Sequence, residues 1–83
     1  MKKVVIYSTR ICPYCVRAKN FFDKKNITYT EIMIDQDPSL IAEMVKKSGR
    51  QSVPQIFIDD YHVGGFDDLI EHDMDGKLED LLN

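Results

Sequence analysis

The run Val4-Val5-Ile6-Tyr7 leads through the polar segment Ser8 to Cys12 into Pro13, and two cysteines bracket Pro13-Tyr14. This junction constrains the chain more than any other feature. A short, continuous, β-branched run is the pattern of a central strand buried on both faces. Proline is favoured at the first helical position, where its missing N–H is not required, so a helix is predicted to start at Cys12-Pro13. Cys15, Ala18 and Phe22 follow at i, i+3 and i+7 with Phe21 beside them, and Lys24-Lys25 suit the negative end of the helix dipole. One face of that helix is core.

Asn26 ends the helix, and Ile27 to Ile34 reads as a second strand nearer a sheet edge, because Thr-Tyr-Thr-Glu-Ile mixes polar and apolar residues. Asp37-Pro38 caps a second helix whose apolar stripe is Leu40, Ile41, Met44 and Val45, and Ser48-Gly49 closes it. Gln55 to Ile58 and Tyr61 to Val63 are two strands joined by Asp59-Asp60, a connection short enough to require an antiparallel hairpin. Leu69-Ile70 begin a third helix, Asp73 to Gly76 interrupt it, and Leu78, Leu81 and Leu82 mark a short last one. The expected fold is α/β, a mixed four-stranded sheet with helices on both faces in the order β-α-β-α-β-β-α-α.

With 83 residues the chain is bounded to one domain, residues 1–83. Two cysteines exclude a multi-bridge disulfide scaffold. The net charge of −3 averages unlike halves: residues 1–58 carry ten Lys/Arg against five Asp/Glu, and residues 59–83 one Lys against nine Asp/Glu, or +5 and −8. The apolar run after Met1-Lys2-Lys3 has four residues, short of the roughly 7 to 15 of a signal peptide or about 20 of a membrane helix. The expectation is a cytoplasmic chain, a monomer, with no nucleic-acid or membrane partner. In a reducing compartment paired cysteines serve catalysis or metal binding more often than structure.

Residues three apart on a helix share a face, within reach of a disulfide. Cys12 sits at the helix N-terminus, where free N–H groups and the dipole favour a thiolate, whereas Cys15 lies one turn inside on the core stripe. A hypothetical fall in pKa from about 8.5 to about 5 raises the thiolate fraction at neutral pH about 30-fold, but the lost nucleophilicity costs about 25- to 55-fold. The gain therefore falls on the step in which Cys12 leaves, because a low-pKa sulfur is displaced faster. A structural bridge over so short a loop contributes only about 2 kcal/mol. A zinc site built from Cys12, Cys15, His62 and His72 fails on the histidine spacing, so no metal is expected. A CxxC opening a helix after a buried strand in a βαβ unit reads as thioredoxin-like.

Cys12-Pro13-Tyr14-Cys15, Ser52-Val53-Pro54-Gln55-Ile56-Phe57-Ile58 and Gly64-Gly65-Phe66-Asp67-Asp68 together resemble the dithiol glutaredoxins, at their spacing and across nearly the whole chain. The resemblance implies a thioredoxin fold, glutathione as co-substrate, no tightly bound cofactor, and reduction of protein disulfides and protein–glutathione mixed disulfides, with ribonucleotide reductase among the candidate partners. It implies that Cys12 is the attacking cysteine and Cys15 the resolving one. Pro54 matches the family's cis-proline, with Val53 N–H and C=O offered to the cysteinyl unit of glutathione as an added strand and Ser52 beside it; the alternative is a plain trans turn. Gly65, Phe66 and Asp67 are expected around the γ-glutamyl end, and Asp68 either joins them or serves only as a helix N-terminal charge. Tyr14 flanks the tripeptide or packs locally.

One departure stands out. The lysine that glutaredoxins commonly place three residues before the first cysteine, to meet the glycyl carboxylate, is Thr9 here, which leaves Arg10 or Arg50 as substitutes. Two other readings compete. A glutaredoxin-like carrier served by a flavin reductase generally lacks the glutathione-binding pattern. A cluster-carrying member of the family more often has a single cysteine followed by glycine and phenylalanine.

Overall fold

The computed structural model describes residues 2–83. Strand β1 (Val4–Ser8) is followed by α1 (Pro13–Lys24), β2 (Thr30–Met33), a 3-10 turn at Ile34–Gln36, α2 (Pro38–Ser48), β3 (Gln55–Ile58), β4 (Tyr61–Gly64), α3 (Phe66–Met74) and α4 (Lys77–Leu82). The sheet order is β2-β1-β3-β4. Strand β1 pairs parallel with β2 and antiparallel with β3, and β3 pairs antiparallel with β4. This is the mixed four-stranded sheet expected from the order of elements, with β1 central as its unbroken apolar run requires.

Alternation along the strands divides the core. Val4, Ile6, Ile56, Ile58 and Val63 face the buried stripes of α1, α3 and α4 (Ala18, Phe22, Leu69, Leu78 and Leu82). Tyr7 and Phe57 face the other way, onto Met44 of α2 and Ile34. One layer thus holds three helices and the other holds one. The difference explains a departure in α2: of the stripe Leu40, Ile41, Met44 and Val45 only Met44 is fully buried, and Ile41 is exposed. A single helix lying on a sheet face seals only the line along its closest approach.

The second strand is shorter than its sequence pattern, covering four residues rather than Ile27 to Ile34. Ile27 is still buried in the main core, but as part of the connection after Asn26, which takes a left-handed φ of 58°. The third helix starts at Phe66 and runs through Asp73 to Met74, so the break falls only at Asp75-Gly76. The hairpin residue Asp59, at φ 51°, ties the turn to the start of β1: its N–H donates to Lys3 O at 2.8 Å, and its carboxylate accepts from Lys3 N at 3.0 Å.

Candidate active site

The site assembles where β1 ends and α1 begins. Cys12 has extended backbone and is the N-cap of α1, and Pro13 takes the first helical position. As in an ordinary N-cap, the side chain turns back onto the first turn of the helix, and the Cys15 N–H donates to Cys12 Sγ at 3.1 Å. The two cysteines are joined as a disulfide with their Cα atoms 5.2 Å apart. Cys12 is 8% exposed and Cys15 1%, so an incoming thiolate reaches the Cys12 sulfur. Beside it Ile11 is 91% exposed.

The Val53–Pro54 bond is cis. The Val53 carbonyl oxygen lies 3.8 Å from Cys12 Sγ. A disulfide sulfur has no proton, so this is a contact; a Cys12 thiol has one to donate along the same line.

A groove of about 230 Å³ opens next to this pair, lined by Tyr14, Arg50, Ser52, Val53, Pro54, Gly65, Phe66, Asp67 and Asp68. Its walls come from α1, the loop before β3 and the start of α3. The Tyr14 and Phe66 rings stand 6.2 Å apart between centroids, and the Arg17 guanidinium lies 5.2 Å over the Tyr14 ring. Nine of the residues singled out in the sequence therefore share one groove. Arg10 does not: it is turned to the other side, where its backbone N–H donates to Asp35 at 3.1 Å and its Nε lies 3.5 Å from the same carboxylate. Of the two substitutes for the missing lysine, the structure brings only Arg50 to the groove. A separate hollow of about 270 Å³ lies between α2 and the sheet, where the Tyr7 hydroxyl donates to Glu43 at 2.8 Å, and shares no lining residue with the groove.

Asp68 is occupied. As the third residue of α3 it reaches back to accept from Gly65 N–H at 2.8 Å, one half of a capping box, since Gly65 has no side chain to complete the other. The same oxygen accepts from Arg50 Nη1 at 3.0 Å. The Gly65 N–H first, and Arg50 second, hold the Asp68 carboxyl below the usual carboxylate range. Asp67, by contrast, is exposed on the groove rim. Gly64 enters this turn at φ 118°, and a Cβ there would strike the Asp68 carboxylate, so glycine is required.

Behind the groove lies a polar pair absent from the candidate residues. Gln55, 1% exposed, donates from Nε2 to Ser52 O at 3.0 Å and to Ser52 Oγ at 3.3 Å, and its Oε1 lies 2.7 Å from His62 Nε2. The available signal was an amide opening the otherwise apolar strand Gln55-Ile56-Phe57-Ile58, since a buried amide needs partners. His72 bonds to Asp68 O and to the Tyr61 hydroxyl. Among the described residues no group of three His, Cys, Asp or Glu side chains is placed to hold a metal, and no helix is long and apolar enough to cross a membrane.

Comparison with known proteins agrees with this geometry. The glutaredoxin family model matches residues 4–63. A glutaredoxin from Pseudomonas aeruginosa is 48% identical over 83 residues, covering 100% of this chain and 99% of its own, and glutaredoxin 3 of Escherichia coli K12 is 48% identical over 82 residues, covering 99% of each. Among solved structures, a buckwheat glutaredoxin in complex with glutathione superposes with a TM-score of 0.89 at 34% identity, over 98% of this chain and 76% of that one. The solution structure of a Brucella melitensis glutaredoxin superposes with a TM-score of 0.86 at 48% identity, over 99% and 89%. A cysteine pair at a helix N-terminus, a neighbouring cis-proline and matches spanning nearly all of both sequences lead to one conclusion: the chain belongs to the glutaredoxin family of glutathione-dependent thiol–disulfide oxidoreductases.

Proposed function

We propose that this chain, working as a single domain, reduces protein–glutathione mixed disulfides and protein disulfides, binding the glutathione moiety in the groove beside Cys12. The observation that carries this reading is the adjacency of a capped, attackable Cys12 sulfur to a groove bearing both charge signs. A glutathione zwitterion has two carboxylates and one ammonium. Exposed Asp67 suits the ammonium, the N-terminal N–H groups of α3 suit the γ-glutamyl carboxylate, and Arg50 keeps further donors for the glycyl carboxylate after one is given to Asp68. Val53 offers its backbone to the cysteinyl unit as an added strand. That buckwheat glutaredoxin was solved with glutathione bound supports the ligand assignment.

In the mixed-disulfide reaction, Cys12 thiolate attacks the glutathionyl sulfur, a Cys12–glutathione disulfide forms, and the protein sulfur leaves as a thiolate that takes a proton from water. A second glutathione thiolate then attacks the glutathionyl sulfur and expels Cys12 thiolate, giving glutathione disulfide. With a protein disulfide, Cys12 forms the mixed disulfide and Cys15 displaces the protein, leaving the Cys12–Cys15 bridge seen here. Two glutathiones return that bridge to the dithiol. The leaving Cys12 thiolate is the species that the Cys15 N–H stabilises. The test is NADPH-coupled turnover of an S-glutathionylated peptide. Robust turnover is expected with glutathione plus glutathione reductase and little with thioredoxin reductase alone; the opposite order would refute the reading.

A further inference from the structure

We propose that His62 is a positioning residue for glutathione binding, acting through Gln55 to hold the Ser52-Val53 segment that walls the groove. The inference rests on the groove being the glutathione site.

Hydrogen-bond logic fixes the direction of the relay. A carbonyl can only accept, so the bond to Ser52 O must come from the Gln55 NH₂ group, which leaves Gln55 Oε1 facing His62. That oxygen can only accept, so His62 Nε2 carries the proton. The fold supplies the geometry. Phe57 and His62 are direct partners across β3 and β4 and their rings stack at 4.8 Å, while Gln55, two residues before Phe57 on the same face of β3, meets His62 across the register shift between Ile56 and Phe57. Burial first, and the Arg50 charge second, hold the His62 pKa below its ordinary value against an opposing effect of Asp68, so at neutral pH the ring is a neutral donor.

Removing the donor leaves Gln55 Oε1 as a buried acceptor without a partner. An amide in that state turns to find another partner, and turning it withdraws Nε2 from Ser52. Ser52 adjoins Val53, whose carbonyl lies 3.8 Å from Cys12 Sγ, so the displaced segment is the one that meets the substrate. Neither cysteine depends on His62 for a hydrogen bond.

His62→Phe keeps an aromatic ring against Phe57 and deletes the N–H, whereas His62→Gln returns an amide donor near the Nε2 position. With a glutathionylated peptide as substrate, His62→Phe is expected to raise KM about tenfold with kcat changed less than about twofold, and His62→Gln to recover most of the loss. A wild-type KM in His62→Phe, or equal losses in both variants, would overturn the proposal. Asp67→Asn in the same assay separates the two levels of the argument. If it raises KM while His62→Phe does not, the positioning role alone fails; if neither moves KM, the groove assignment fails with it. Nitrogen-15 NMR of the wild-type chain tests the relay without a variant: the Nε2–H tautomer, with His62 and Gln55 side-chain resonances shifting on addition of S-methylglutathione, supports it, and an Nδ1–H tautomer or unmoved resonances contradict it.

Discussion

The backbone N–H of Cys15 points at the Cys12 sulfur from 3.1 Å, so under the proposed roles Cys15 would serve Cys12 through its amide as well as through its thiol. In most helices that N-cap position holds a neutral or carboxylate oxygen; here the same orphan donors face a sulfur that alternates between thiolate and disulfide. The first prediction follows directly. In Cys15→Ser, which keeps the amide, pH-dependent alkylation of Cys12 should titrate well below the ordinary thiol value of about 8.5. A midpoint near that value would show that the helix terminus does not stabilise the thiolate.

Asp68 serves both the fold and the groove. Asp68→Ala removes the acceptor for Gly65 N–H and releases Arg50, at a cost of about 1 kcal/mol, the usual worth of such a cap on a partly exposed site. Because its folded pKa is depressed, this contribution is complete above the unfolded carboxylate value of about 4 and fades as pH falls through the folded one. Urea unfolding of the two proteins at neutral pH and at about pH 3 checks this: the gap should narrow in acid.

Gly64→Ala should be worse than its size suggests. The residue sits at φ 118° and its new methyl group meets the Asp68 carboxylate, so both strain and a displaced cap are incurred. A loss of more than about 1 kcal/mol is expected in the same unfolding assay, together with a raised KM for a glutathionylated peptide. Unchanged stability would show that the turn relaxes freely.

Glu31 ties the sheet to α1. Its carboxylate takes Lys19 Nζ at 2.8 Å and the hydroxyl of fully buried Ser8 at 2.6 Å, and those two partners, Lys19 first, lower its pKa. The sign is that of Asp68: the stabilisation is present above about pH 4 and is lost in acid. Glu31→Gln is therefore expected to cost about 1 kcal/mol at neutral pH and to flatten the stability profile between about pH 5 and pH 3. An equal cost at both ends would assign the effect to packing.

Local chemistry made much of this molecule legible from residues alone. Pro13 after Cys12 and Pro38 after Asp37 marked two helix starts, Gly49 one helix end, and the four-residue run of β1 the centre of the sheet. The groove was readable because the segments around Tyr14, Ser52-Val53-Pro54 and Gly65 to Asp68 carry recognisable motifs that the fold brings together. What escaped depended on partners distant in sequence. Nothing local says that Arg10 meets Asp35, that Arg50 and Asp68 pair across 18 positions, or that Gln55 meets His62 across a hairpin. Strand β2 is shorter than its sequence pattern for a related reason: Ile27 is buried by packing, and burial alone does not make a strand.

The unequal roles of the two cysteines are the centre of the account, and the rate on a glutathione mixed disulfide tests them most directly. Cys12→Ser should abolish turnover of an S-glutathionylated peptide, because the remaining Cys15 is 1% exposed and out of reach of an incoming mixed disulfide. Cys15→Ser should retain it, because a second glutathione resolves the Cys12 adduct, while losing the dithiol route to protein disulfides. Equal inactivity of both variants on the glutathionylated peptide would contradict the assignment.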